Sequence, residues 1–148
     1  MPGTRENVLD EILAFVRRGY ELWNAGDLAS VSHMWSDDFE WHNAPEWPGQ
    51  SVYYGREQAV RFLTDEVAEV ILLNEIEVER IVPIGDELVI CMVARTRGHD
   101  SNLDFGKVPI FHVALVRDGK VARVRAFLDE KQAMAAAQRG LRQGSTAG

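Results

Sequence analysis

Glu75-Ile76-Glu77-Val78-Glu79 alternates charged and apolar side chains without a break. A period of two puts one set of side chains on each side of an extended chain, so this stretch reads as a strand wet on one face and buried on the other. Everything before it carries the helical period instead. Leu9, Ile12, Leu13, Val16, Tyr20 and Trp23 recur at helical spacing, Asn7 stands where it can cap the helix, Asp10 and Glu11 sit in its first turn, and Gly26 ends it. Asp27 can cap a second, short helix that buries Leu28, Val31 and Met34 or Trp35. A third helix is expected over about 56–71, with Ala59, Val60, Phe62, Leu63, Val67 and Val70 inward. Between the second and third helices, residues 39–43 alternate as a short strand, and residues 44–55 hold Pro45, Pro48, Gly49 and Gly55 and read as a loop.

After the alternating stretch the chain stays extended. Gly85-Asp86 turns into the apolar strand 87–97, a polar loop 98–105 leads to strand 107–116, and Arg117-Asp118-Gly119-Lys120 is a hairpin signal because Asp-Gly readily takes positive φ. The last strand runs from Val121 to Leu128, and Asp129 with Gln132 three residues on can cap a short Ala-rich helix. From Gly140 the composition is Gly, Ser, Thr and Gln. The expected organisation is a single domain over 5–139 with a flexible tail at 140–148. Helices first and hairpin strands after suggest an α+β fold, a curved antiparallel sheet with helices on one face and an apolar cavity between them.

The 148 residues suit one domain, and 46% apolar with 26% charged residues is globular composition. Lys+Arg 16 against Asp+Glu 23 leaves a net charge of −7. That balance argues against nucleic acid as a partner and against docking on anionic membrane. The apolar stretches fall far short of the roughly 18 residues of a membrane span, and no signal-peptide pattern opens the chain, so a cytoplasmic protein is expected. Cys91 is the lone cysteine, in the apolar run 88–93, and reads as a buried small hydrophobe. Of 13 aromatics, ten fall within residues 1–62.

Four segments carry a resemblance: Trp23-Asn-Ala-Gly-Asp-Leu28, Ser36-Asp-Asp-Phe-Glu-Trp41, Tyr54-Gly-Arg-Glu-Gln-Ala-Val60, and the run from Arg117 to Asp129. In this order and spacing they resemble the SnoaL-like, or polyketide cyclase-like, branch of the NTF2-like superfamily, which includes ketosteroid isomerases and limonene epoxide hydrolases. The resemblance covers about residues 8–135. It implies a cone-shaped α+β fold, a curved sheet wrapped on the long N-terminal helix over an apolar pocket, and a homodimer. It implies no single reaction, because the scaffold hosts many.

The chemistries of the relatives can be laid on this sequence. A ketosteroid isomerase uses a carboxylate base with a Tyr and a protonated Asp that hold an oxyanion. In ungapped register the base position falls on Asn43, the Tyr on Gly19 with Tyr20 one residue on, and the Asp on Phe111. Isomerisation by that route is therefore not expected. Of the epoxide hydrolase set, Asn43 matches the water-holding amide, but Trp41 stands at the Tyr and Ala126 at one Asp, and the Arg and other Asp fall near Val93 and Arg95. The acid–base Asp of a cyclase finds no convincing place at Asp100, Asp104 or Asp129.

The expected site therefore has Asn43 as its polar, catalytic candidate, with Tyr20, Trp23, Trp41, Trp47, Tyr53, Tyr54, Phe111 and Ala126 around an apolar ligand. Asn43 bonds either the ligand or the loop backbone before Pro45. Trp47, Tyr53 and Tyr54 either cover the pocket mouth or anchor on the third helix. His42 is a candidate base or a surface residue, and His112, facing away from Phe111, is expected on the sheet surface or a dimer interface. His33 and His99 have no partner pattern, and no metal or other cofactor is expected. Arg95 and Arg97 bind a ligand oxygen or are solvated, and Arg123 and Arg125 are expected to pair with Glu75, Glu77 or Glu79. The leading reading is a cofactor-independent isomerase, cyclase or dehydratase for a mid-sized apolar carbonyl or hydroxyl compound. The alternatives are a non-catalytic module binding a hydrophobic ligand, or a dimerisation or protein-interaction domain.

Overall fold

The computed structural model describes residues 4–47, 49–69, 71–96 and 107–147. Helix α1 spans Thr4–Asn24 and α2 spans Leu28–His33. Strand β1 covers Trp35–His42 and β2 Val52–Tyr54, followed by α3 at Arg56–Asp65 and a 3-10 turn at Val67–Glu69. Then come β3 (Ile71–Ile84), β4 (Glu87–Thr96), β5 (Lys107–Arg117), β6 (Lys120–Phe127) and α4 (Glu130–Ala147). The six strands form one curved, unclosed sheet in the order β2-β1-β6-β5-β4-β3.

The local signals act as their chemistry dictates. Gly26 takes φ 81° to stop α1, and the Asp27 carboxylate accepts the Ser30 N–H at 3.1 Å to start α2. Asp118 and Gly119 both take positive φ, 53° and 76°, the two-residue turn whose twist matches a hairpin. Asp129 accepts the Gln132 N–H at 3.0 Å and begins α4. Asn24 adds a device that periodicity does not show. Its amide exchanges two hydrogen bonds with the backbone of Ile76, at 2.8 and 2.9 Å, where β3 slips register against β4. The end of α1 is thereby pinned to the sheet.

Several expectations change. Trp35 opens β1 instead of closing α2, and the aromatic loop contains strand β2, which pairs Tyr53 with Trp41 and Tyr54 with Glu40. The sheet is mixed, because β1 runs parallel to β6, Trp41 facing Val124. The helices occupy both faces. The inner face packs Trp41, Ile76, Ile90, Met92 and Ile110 against α1 and α3, while Val89, Cys91 and Val113 on the outer face pack against Ala133 and Ala137 of α4.

Helix α4 runs through Gly140 because that glycine is a contact site, not a terminator. A Cβ there would collide with the Glu87 carboxylate. Glu87 is buried and holds Arg125 at 2.6 Å and Arg123 at 3.4 Å. The expected partners of these arginines, Glu75, Glu77 and Glu79, lie on β3, three strands from β6, whereas Glu87 lies two strands away. At ~4.8 Å per strand only the nearer step is within an arginine's reach. Arg95 pairs with Glu75 at 3.3 Å. Arg97, His99, Asp100 and Asp104 lie outside the described residues.

Candidate functional site

Under the curve of the sheet lies a cavity of about 190 Å³, walled by α1, α3 and the inner faces of β1, β3, β4, β5 and β6. Phe62, Leu63, Ile76, Met92 and Ile110 supply its apolar surface, and Asn43, Trp47, Val108 and Leu128 stand at its rim. A second space of about 40 Å³ lies between Gly19, Tyr20, Met34, Trp35 and Ala114. Trp23, Trp41 and His112 border both and form the partition. Among the described residues no Asp, Glu, Lys or Arg lines either space.

His112 is the polar centre of this wall. It is 4% exposed, and its Nδ1 lies 2.7 Å from the Tyr20 hydroxyl on α1. Trp41 meets its ring edge to face at 5.1 Å, and the Tyr20 ring stacks on Trp23 at 5.9 Å. Burial pushes the imidazole down to about 3 and pushes the Tyr20 phenol well up, so each group is neutral near pH 7. The phenol O–H has no other acceptor among the described residues, so the direction that satisfies it has the O–H donating to Nδ1, which places the ring proton on Nε2. Nε2 has no partner among the described residues. The Trp23 Nε1–H is buried and also finds no acceptor there.

The expected site residues separate into groups. Trp23, Trp41, Trp47, Asn43 and Ala126 line the larger cavity, and Tyr20 lines the smaller one. Asn43 uses its amide on the protein: Oδ1 accepts the Trp41 N–H at 3.1 Å, and Nδ2 donates to the Gln50 carbonyl at 2.7 Å. Tyr53 stacks on Phe62 with centroids 4.4 Å apart and donates to Glu66, while Trp47 meets Phe62 edge-on at 5.9 Å. The loop is thus anchored on α3, with Trp47 also at the rim. Tyr54 points to solvent, 61% exposed. His42 pairs with Glu40 at 2.8 Å, away from both cavities.

Phe111 and His112 exchange the places expected for them. Phe111 packs with Phe127 and Met134 on the α4 side, and His112 takes the pocket wall opposite Ala126. A regular hairpin from Arg117 and Lys120 would set Phe111 across from Ala126. A bulge at Ala122, between the pairs Val116–Val121 and Leu115–Arg123, shifts the register by one and brings His112 there instead. One residue of slip reverses the face of every side chain.

The comparisons agree with this architecture. The SnoaL-like domain family matches residues 16–124. No curated protein matches. An NTF2-like protein of Burkholderia xenovorans superposes with a TM-score of 0.61 at 22% identity, over 87% of this chain and 96% of that one. A Catenulispora acidiphila protein with a ketosteroid isomerase-like fold, solved with trimethylamine, gives 0.61 at 15% identity, over 82% and 89%. A de novo designed protein with a curved β-sheet gives 0.62 at 20% identity, over 88% and 93%. At these identities the structures speak to the fold alone, but the sequence match spans most of the chain: it belongs to the SnoaL-like domain family.

Proposed function

We propose that this chain is a cofactor-independent enzyme, of isomerase, cyclase or dehydratase type, acting on a mid-sized apolar carbonyl or hydroxyl compound held in the larger cavity. The observation that carries the reading is the buried His112, fixed by Tyr20 on a wall without a charged side chain among the described residues. A neutral donor in a dry site can stabilise charge that develops on a substrate oxygen, and losing such a donor costs ~10²–10³ in turnover. Keto, epoxide and polycyclic compounds should be screened for conversion. The expected result is turnover of at least one class, reduced about 100-fold by His112→Phe. Turnover that His112→Phe and Trp41→Phe leave unchanged would refute the assignment.

A second reading, a binding module without chemistry, is favoured by one observation: no carboxylate lines the cavity among the described residues. It predicts saturable quenching of tryptophan fluorescence by apolar compounds that are recovered unaltered. The open cavity argues against a domain used only for dimerisation. A cytoplasmic homodimer is part of the proposal, and sedimentation of the purified chain tests the dimer. No described helix is long and apolar enough to cross a membrane.

A further inference from the structure

The two spaces under the sheet follow one another along the strands. On β5, Val108 and Ile110 line the larger cavity, His112 lines both, and Ala114 lines only the smaller space. The first strand repeats the order, with Asn43 just past its end on the larger cavity, Trp41 on both and Trp35 on the smaller space. At ~3.3 Å per residue, the run from Val108 at the rim to His112 is about 13 Å, and Ala114 lies about 7 Å further on. The two spaces are thus one apolar trough interrupted by rings. Trp23 belongs to α1 and stacks on Tyr20, whereas Trp41 is held from the rim. Its Nε1–H donates to Asn43 Oδ1 at 3.1 Å, and Asn43 Nδ2 donates to the Gln50 carbonyl at 2.7 Å.

We propose that Trp41 sets how far an apolar substrate enters, and that Asn43 is a positioning residue that holds the indole across the trough. The inference rests on the reading that the larger cavity binds the substrate. A dry cavity of about 150 Å³ admits benzene, so the about 190 Å³ here has room for one ring or a short chain. A longer body stops at Trp41 and leaves its remainder at the rim. A smaller side chain at position 41 vacates the volume of the indole. Because that ring borders both spaces, its loss joins the larger cavity to the about 40 Å³ beyond.

The test uses straight-chain 1-alkanols from 1-butanol to 1-decanol, which leave the hydroxyl at the wet rim, with binding read by calorimetry. Each methylene buried raises affinity about fourfold, and one left outside adds nothing. In the native chain the gain should stop at a definite chain length. The terminal methyl of the alkanol at that limit should show NMR contacts to the Trp41 indole and none to Ala114, a measurement that needs no variant. Trp41→Leu should extend the limit by about two carbons or more, given ~7 Å of added depth. Ala114→Val added to Trp41→Leu should pull the limit back, because it fills the joined space. Asn43→Leu should accelerate solvent exchange of the Trp41 indole proton and move the limit toward that of Trp41→Leu.

A limit that stays in place in Trp41→Leu, or native-chain contacts of the terminal methyl with Ala114, would overturn the assignment of Trp41 while leaving the cavity a ligand site. A limit that Ala114→Val does not pull back would overturn the joining of the two spaces. Fast indole exchange in Asn43→Leu with the native limit retained would overturn the positioning role of Asn43. Failure of every alkanol to bind at millimolar concentration would overturn the inference together with the pocket reading on which it rests.

Discussion

Acidification should destabilise this protein through His112. The imidazole is 4% exposed, and burial holds its folded-state pKa at about 3, against 6.5 for an ordinary histidine. Between those values the unfolded chain binds the proton and the folded chain does not. The contribution of neutral His112 to stability is therefore complete above pH 6.5 and declines as pH falls toward 3. The slope approaches ~1.4 kcal/mol per pH unit, so about 2–3 kcal/mol is lost between pH 8 and pH 4.5. The only titratable group in hydrogen-bonding contact with the ring among the described residues is Tyr20, which stays neutral throughout. The measurement is a difference between two chains that share every other titratable group. Urea unfolding from pH 8 to 4.5 of the native chain and of His112→Gln should give curves that converge by those 2–3 kcal/mol as pH falls. The ring itself can be followed in parallel by NMR, which requires no folded variant and should show His112 neutral at pH 4.5. A His112 that titrates near 6.5, or a native–variant difference independent of pH, would refute the reasoning that the partition between the cavities is dry.

Two further outcomes follow from packing. Gly140→Ala should destabilise the native chain by ~1–3 kcal/mol because its methyl meets the buried Glu87 carboxylate, yet become neutral or stabilising by up to ~1 kcal/mol in a Glu87→Ala background, where only helix propensity remains; chemical denaturation of all four chains measures the coupling. Asn24→Ala should cost about 2 kcal/mol, since it strands both backbone groups of Ile76, and should raise hydrogen exchange at the bulge in β3 rather than in α4.

Much of the fold can be read in the chain because its signals are local. The alternation at residues 75–79, the caps at Asp27 and Asp129 and the Asp118-Gly119 turn each bring their own geometry, whatever surrounds them. The aromatic excess in the first 62 residues also finds its place, with Trp23 and Trp41 on the cavity wall and Trp47 at its rim. What local chemistry cannot report is partnership between distant strands. The parallel pairing of β1 with β6 and the reach of Arg125 to Glu87 depend on strand order.

The site shows the division most sharply. On the sequence alone, Asn43 and Ala126 fall at two of the relatives' acid–base positions, so their carboxylates are not expected here, and among the described residues none lines the cavity. Only the tertiary structure decided which residue of Phe111-His112 faces the ligand space. Strand periodicity fixes that two neighbours point opposite ways, but not which way. A single extra residue at Ala122 of β6, which nothing in the sequence marks, shifts β6 against β5 by one step. That step puts an imidazole where a phenyl ring was expected and sets it 2.7 Å from Tyr20.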